Sequence, residues 1–137
     1  MDKLDNPSWY SLSETHEGFA VDYNDIKFYH PDYCPFGGFT NPVGTEKGIS
    51  LDARLTNNFF VVGDKPKFND QVRLNNELVC HQMVLSERIN LQVDEDIIEL
   101  RTQIHKADLF SLVNLVQPGY FRDRTSRPGK ILWHLQG

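Results

Sequence analysis

Apolar residues recur with a helical period near the start of the chain. Asn6 before Pro7 is typical of a helix start, because an asparagine side chain can cap free backbone N–H groups and proline's fixed φ suits the first helical position. One face of the helix that follows would carry Trp9, Leu12, His16 and Phe19. The pattern therefore predicts an amphipathic first helix.

The period changes to two after the Asn24-Asp25 pair, which is a turn signal. Ile26, Phe28 and His30 alternate there with Lys27 and Tyr29. Alternation of this kind is typical of a half-buried strand. The sequence thus predicts a short hairpin.

Residues 31–48 contain Pro31, Pro35, Gly37, Gly38, Pro42, Gly44 and Gly48. This density of proline and glycine predicts an ordered loop without regular structure. Its aromatic residues would be Tyr33, Phe36 and Phe39. Surface loops often carry function, so the segment is a candidate contact surface.

Four further segments have regular patterns. Residues 57–62 and 77–85 read as strands, the second of them apolar on both faces and therefore buried. A short strand is expected at 97–101. The segment 107–117 predicts a helix that Pro118-Gly119 ends, with Leu109, Leu112, Val113 and Val116 on one stripe.

Composition narrows the function classes. The chain has 137 residues, enough for one domain or for one domain and a fragment, and its 12% of aromatic residues fits a globular protein. A net charge of −5 disfavours nucleic acid. No apolar run approaches the roughly 20 residues that cross a bilayer, and Met1-Asp-Lys-Leu-Asp5 lacks a secretion signal. We expect no membrane partner and a cytoplasmic location with reduced Cys34 and Cys80.

Several segments in order resemble the bacterial, FR-type branch of the GNAT N-acetyltransferase superfamily. The strand Ile97-Ile-Glu-Leu-Arg101, the helix, the turn Pro118-Gly-Tyr-Phe121 and the following Arg124-Thr125 are similar to the opening of the GNAT fold. Upstream, Asn6-Pro-Ser-Trp-Tyr10, His30-Pro-Asp-Tyr-Cys-Pro-Phe-Gly-Gly38, Asn58-Phe-Phe-Val-Val-Gly63 and Leu78-Val-Cys-His-Gln-Met83 are similar to the N-terminal domain of that branch. The resemblance implies an α+β chain: an N-terminal mixed domain at 6–94 and the first strand and helices of a truncated GNAT domain at 95–125.

The resemblance ends near residue 126. The family continues with a Leu-Gly-x-Tyr-Tyr-Gly strand, whereas this chain has Arg127-Pro-Gly-Lys-Ile-Leu-Trp-His-Leu-Gln-Gly137. Codons can be chosen for Pro128–Gly137 that, read one base later, give Leu-Gly-Lys-Tyr-Tyr-Gly-Ile-Tyr-Lys. Our hypothesis is that residues 126–137 are an out-of-frame tail.

Acetyl transfer from coenzyme A to an amine needs a pyrophosphate cradle and an oxyanion donor. The cradle is a glycine-rich turn ahead of a helix, and Gly37-Gly38 has no helical pattern after it. The family's oxyanion donor lies on strands that follow the matched segments. We therefore expect no catalytic and no cofactor-binding residues in this chain, although full-length relatives use acetyl-CoA. The resemblance implies an inactive fragment whose Gly119, Tyr120, Phe121 and Thr125 lie at the acceptor side.

Other chemistry is weaker in the sequence. His30, Cys34, Cys80 and His81 are metal-ligand types with spacing that disfavours zinc, so no metal is expected. Cys34 is an alternative nucleophile if His30 serves as its base, although Asp32 would raise its pKa. His16, His105 and His134 each stand alone and are interpreted as helix-face or exposed residues.

Two function classes remain open. One is the acetyltransferase fragment, whose first strand has an unpaired edge and whose helix stripe lacks a sheet, so that residues 95–137 either dock on the N-terminal domain or self-associate. The other is a small interaction module without enzymatic activity that uses the aromatic loop 31–48 as its contact surface.

Overall fold

The computed structural model describes residues 2–90, 92, 94, 96–122 and 124–125 and the backbone of 132–134. In its first half, helix α1 and three strands are followed by a second helix and a fourth strand: α1 Pro7–Ser13, β1 Ala20–Asp22, β2 Ile26–Tyr29, β3 Phe36–Phe39, α2 Thr45–Asp52 and β4 Phe60–Val62. The sheet order is β1-β2-β3-β4, with β3 and β4 parallel and the other neighbours antiparallel. The expected α+β architecture is confirmed at this level.

The hairpin of β1 and β2 is also confirmed. Ala20 lies opposite Tyr29 and Asp22 opposite Lys27. Asn24 has a φ of 70°, in the left-handed region that asparagine tolerates better than most residues. The turn therefore forms where its residue type predicts it.

Helix α1 begins at Pro7 as expected, but Asn6 does not cap it. The Asn6 amide instead donates from Nδ2 to the Phe39 carbonyl at 2.7 Å and ties the helix to β3. The helix ends at Ser13, so His16 and Phe19 lie beyond it, Phe19 within a 3₁₀ turn at Glu17–Phe19. The prediction of one continuous helical face was wrong on these two residues.

The prediction that residues 31–48 lack regular structure was wrong. The segment contains all of β3 and the start of α2, with a 3₁₀ turn at Pro42–Gly44 between them. A Cβ on Gly38 would lie 2.6 Å from the Trp9 backbone nitrogen. The absence of a side chain at Gly38 therefore permits the close approach of α1 to β3, and this glycine does not mark a turn.

The core of this half lies between the sheet and α2. It consists of four buried residues, Ile26, Phe28, Phe39 and Ile49. The Phe28 ring meets the Phe59 ring edge-on at 5.2 Å. A Cβ on Gly48 would lie 2.2 Å from a methyl group of Ile26, so α2 packs against β2 at a glycine.

The expected buried strand at 77–85 was also wrong. Described residues between 74 and 96 form no helix or strand, and the side chains of Val79 and Met83 are 91% and 87% exposed. A strand that is apolar on both faces needs a layer on each side. In the described part of the chain no such layer covers this segment.

The second half contains β5 Ile97–Glu99, α3 Gln103–Val116 and β6 Leu132–His134. β5 confirms the expected strand, but β6 pairs with it antiparallel, which corrects the expectation of an unpaired first strand. The remaining tail positions, 126–131 and 135–137, lie outside the described residues. The domain division at 94–96 stays a prediction.

Helix α3 begins one turn earlier than expected because the Thr102 hydroxyl accepts a hydrogen bond from the His105 backbone N–H and caps it. It ends before Pro118, and Gly119 adopts a φ of +90°. Of the predicted apolar stripe, Leu109 is buried, whereas Val116 is 71% exposed. The helix is thus confirmed, but its stripe is covered only in part: Val113 is half-buried and Leu112 is exposed.

Candidate functional site

The turn that follows α3 packs against the first sheet. The Tyr120 ring stacks on Phe60 with centroids 4.6 Å apart and lies 5.5 Å from Phe36. A Cβ on Gly119 would lie 3.7 Å from the Asn58 amide nitrogen. This turn therefore adds an aromatic layer to the β3–β4 edge.

The next residues fasten this segment to the loop before β3. The Arg122 guanidinium donates to the Asn58 side-chain oxygen at 2.9 Å. The Arg124 N–H donates to the Asp32 carbonyl at 3.0 Å, and the Thr125 hydroxyl donates to the Tyr33 carbonyl. Docking of this part of 95–137 on the N-terminal half, one of the two expected outcomes, is thus present in the structure.

Thr125 reaches the rim of a cleft of about 280 Å³. The cleft lies between α1, the end of β2, the loop before β3 and the segment after α3. Its lining consists of Ser8, His16, Tyr29, Tyr33, Cys34, Phe36 and Thr125. Of the four predicted acceptor-side residues, Thr125 lines this cleft. Tyr120 does not line it but contacts Phe36, which does, and Gly119 and Phe121 are half-buried in the docked turn.

A histidine–tyrosine pair forms one wall of the cleft. His16 Nδ1 and the Tyr29 hydroxyl lie 2.6 Å apart. Burial raises the pKa of Tyr29 and outweighs the opposing effect of a hydrogen bond with Ser11. Sequence reasoning missed this pair because it placed His16 on a helix. The available signal was the alternation along β2, which puts the Tyr29 side chain on the face opposite to that of the buried Phe28.

The structure does not favour Cys34 as a nucleophile. Burial raises the pKa of the Cys34 thiol, which lowers the thiolate fraction at neutral pH. The His30 imidazole is engaged with Asp32, whose backbone N–H donates to its Nδ1 at 3.3 Å. The Cys34 contact with His30 joins backbone atoms, N–H to carbonyl, at 3.4 Å.

Metal and disulfide chemistry find no support in the described ranges. No group of three or more histidine, cysteine, aspartate or glutamate residues there could hold a metal ion. Cys34 and Cys80 are free thiols, and His81 lies beside Cys80 in the exposed segment. His105 accepts a hydrogen bond from the Arg101 N–H at the start of α3, away from the cleft lining.

The described residues do not fit the pyrophosphate of acetyl-CoA. Gly37 and Gly38 lie inside β3, where a Cβ would meet Phe28 or Trp9. Gly44 precedes α2, but a Cβ there would lie 2.6 Å from the carboxyl carbon of Asp25. The Asp25 carboxyl group therefore lies directly beside the start of α2, where its negative charge would repel a phosphate, so this helix end is not an anion cradle.

The aromatic residues of 31–48 each pack against another ring or the core. Phe39 is 4% exposed, and the Tyr33 ring lies 4.9 Å from that of Phe19. Phe36 stacks on Phe60 at 5.3 Å. Phe39 therefore belongs to the core, whereas Tyr33 and Phe36 are half-buried and line the cleft, and the interaction-module hypothesis stays a prediction.

Comparison with protein-family models, with curated proteins and with solved structures returns no match for this chain. Within the described ranges, no helix combines the length and the apolar character that crossing a bilayer requires. The assignment of function therefore depends on the residues themselves.

Proposed function

We propose that this chain is the acceptor-side portion of an acetyl-CoA-dependent N-acetyltransferase of the GNAT type, and that its described residues do not bind the cofactor or transfer the acetyl group. The resemblance of the segments from Asn6 to Thr125 is one support. The other is the position of the turn after α3.

The docked turn is the observation that carries the proposal. In the resembled family, the turn after the first helix helps to wall the acceptor pocket. Here the corresponding turn stacks Tyr120 on Phe60 and brings Thr125 to the rim of a cleft. A role in holding an acceptor gives one reason for the turn after α3 to be anchored on the first sheet.

The chemistry of the described residues fits binding better than catalysis. Tyr29, Tyr33 and Phe36 offer ring faces and edges, and Ser8 and Thr125 offer hydroxyl groups. Six of the seven lining residues come from the N-terminal half, and Thr125 comes from the second. The acceptor would therefore lie between the two halves, while the cofactor requires residues other than those described.

The coding DNA and a transfer assay test this proposal together. We expect the bases that follow the Arg127 codon to encode Leu-Gly-Lys-Tyr-Tyr-Gly when read one position later, with a GNAT continuation downstream. A chain made through that continuation should release coenzyme A from acetyl-CoA in the presence of a panel of amines, whereas the 137-residue chain should not.

Two results would overturn the proposal. One is a coding sequence in which no slipped frame continues the GNAT pattern. The other is amine-dependent release of coenzyme A by the 137-residue chain itself, because the described residues lack a cradle for the pyrophosphate.

A further inference from the structure

The lining of the cleft contains no acidic side chain. In the part of the chain that the structure describes, its walls consist of aromatic rings, hydroxyl groups, an imidazole and a thiol, without aspartate or glutamate. A protonated amine that entered the cleft would lose water and gain no carboxylate in exchange. The cleft therefore does not suit a ligand whose only charges are positive, such as a polyamine.

Positive charge lies beside this lining. The Arg122 backbone N–H donates to the Thr125 hydroxyl at 2.7 Å, and the guanidinium carbon of Arg124 lies 5.9 Å from the centroid of the Tyr33 ring. Thr125 and Tyr33 both line the cleft. The charge of Arg124 is compensated in part, because its Nη1 lies 3.9 Å from a carboxylate oxygen of Asp32.

Arg122 has no such compensation. No carboxylate among the described residues forms an ion pair with it. Its Nη2 donates to the side-chain oxygen of Asn58 at 2.9 Å, whereas its Nε is buried and has no hydrogen-bond partner in the same part of the chain. A buried N–H without a partner is unfavourable, and an anionic oxygen brought to this guanidinium would remove that cost.

The charge of Arg122 acts on the cleft wall. Burial is the largest influence on the Cys34 thiol and raises its pKa, while the positive charge of Arg122 acts in the opposite direction. A ligand carboxylate is therefore favoured on the side of Arg122 and disfavoured deep beside Cys34. The same positive charge disfavours the protonated form of a bound amine, and the neutral amine is the form that acts as a nucleophile.

We propose that the cleft binds an amine that also carries a carboxylate, as an amino acid does, with the Arg122 guanidinium as the partner of the carboxylate. The rings of Tyr29, Tyr33 and Phe36 contact the remainder of the ligand. A volume of about 280 Å³ suits a single amino acid and not a longer peptide. The role of the amine as acetyl acceptor rests on the proposed function, whereas the selection of a carboxylate rests on Arg122 and the cleft.

Three ligands with the same ring separate the two charges. Phenylalanine carries an ammonium group and a carboxylate, phenethylamine lacks the carboxylate, and phenylpropionate lacks the amine. Each is added to the 137-residue chain, and mass spectrometry measures how fast methyl methanethiosulfonate modifies each cysteine. Cys34 lines the cleft and reports on its occupancy, whereas Cys80, exposed in the segment between 74 and 96, is the internal control.

We expect phenylalanine and phenylpropionate to protect Cys34 with dissociation constants about tenfold lower than that of phenethylamine, which is the size of one hydrogen bond to a charged group. The reactivity of Cys80 should not change. Three results would each overturn the proposal: no protection by phenylalanine, protection by phenethylamine that is equal or stronger, and equal slowing at Cys80.

Variants test whether Arg122 holds the carboxylate or only fastens the turn. Arg122→Gln should remove the tenfold preference and leave phenethylamine binding unchanged, while Arg122→Lys, which keeps the charge, should retain most of it. Asn58→Ala removes the side-chain tie to the turn but keeps the guanidinium, so the preference should persist. Arg54→Gln, at an exposed position outside the cleft lining, is the matched control. A preference that survives Arg122→Gln, or that Asn58→Ala removes equally, would refute the role of Arg122.

This inference and the acetyltransferase proposal can fail separately. A coding sequence without the slipped frame would refute the transfer reaction and leave the binding preference of the 137-residue chain as measured. A continued chain that releases coenzyme A with phenethylamine but not with phenylalanine would support the transfer reaction and overturn the selection of a carboxylate.

Discussion

The two halves of the molecule hold their apolar residues in opposite ways. In the first, β2 and α2 pack face to face, and Ile26 and Phe28 are 0% and 1% exposed. In the second, Val79 is 91% and Leu115 is 81% exposed, although these residues are just as apolar. The difference shows that an apolar pattern is buried only when a second layer is present to cover it.

The largest effect should come from emptying the packed half. Phe28→Ala should lower the free energy of unfolding by about 3–5 kcal/mol, because it removes a fully buried ring and leaves a cavity between the sheet and α2. Leu115→Ala, on the exposed face of α3, is the matched control and should change it by less than about 0.5 kcal/mol. Urea unfolding of both variants measures the difference. Equal losses of unfolding free energy in the two variants would contradict the claim that the first half is packed and the second half is exposed.

The next effect concerns the buried carboxyl of the first half. Asp52 is 1% exposed and accepts a hydrogen bond from the Tyr23 hydroxyl at 3.1 Å, and burial raises the pKa of Asp52 from 3.8 to about 6. The folded protein thus prefers the protonated carboxyl. This group's contribution to stability is full below about pH 4 and is lost as the pH rises through about 6, a change of up to about 3 kcal/mol.

Asp52→Asn isolates this contribution, since the amide keeps an acceptor for Tyr23 but does not titrate. Between pH 4 and 6, about the range set by the two pKa values, the stability of the parent relative to this variant should fall. Chemical unfolding at a series of pH values measures the difference. A parent that gains stability relative to the variant over this range would show that Asp52 is buried as the carboxylate.

A smaller effect is expected where α1 crosses β3. A Cβ on Gly38 would lie 2.6 Å from the Trp9 nitrogen and 3.0 Å from the Ser8 carbonyl carbon, both backbone atoms. Gly38→Ala should therefore cost about 1–3 kcal/mol as the helix is displaced. Gly18→Ala, which meets nothing within 4 Å, should be close to neutral or slightly stabilising. Thermal unfolding that ranks the two variants in the reverse order would refute the close packing of α1.

The smallest effect belongs to the exposed face of α3. We propose that this face drives weak self-association, because Ile104 and Leu115, which lie three turns apart on the same face of the helix, are 73% and 81% exposed. Leu115→Lys should weaken association by about 1–2 kcal/mol, the transfer of one large apolar side chain. Val43→Lys, at an exposed position of the first half, should leave it unchanged. Sedimentation equilibrium measures both, and a parent that is monomeric at all concentrations would refute the proposal.

The elements that follow from local chemistry were predictable from the sequence. Asn24 marks the β1–β2 turn because it tolerates a positive φ, and Gly119 ends α3 for a similar reason. Pro7 at the first position of α1 is another local signal. Such features depend on a few neighbouring residues and need no knowledge of the remainder of the fold.

The features that depend on tertiary packing were not predictable. Gly37 and Gly38 look like loop residues in the sequence, yet they lie in β3. These strand positions are glycine because α1 and Phe28 approach too closely for a side chain. Residues 77–85 look like a buried strand but have no layer to cover them. The cleft escaped notice for the same reason, since His16 and Tyr29 meet only after the hairpin folds back on α1.

The central claim is that α3 lacks a sheet that would cover its apolar side chains, because the described residues do not provide one. Hydrogen exchange of the α3 amides tests this claim most directly. In the 137-residue chain we expect the amides of 105–116 to exchange far faster than those of β2. In a chain continued through the slipped frame they should become as slow as those of β2. Protection of α3 that is already equal to that of β2 in the shorter chain, or that does not rise in the longer one, would contradict the account.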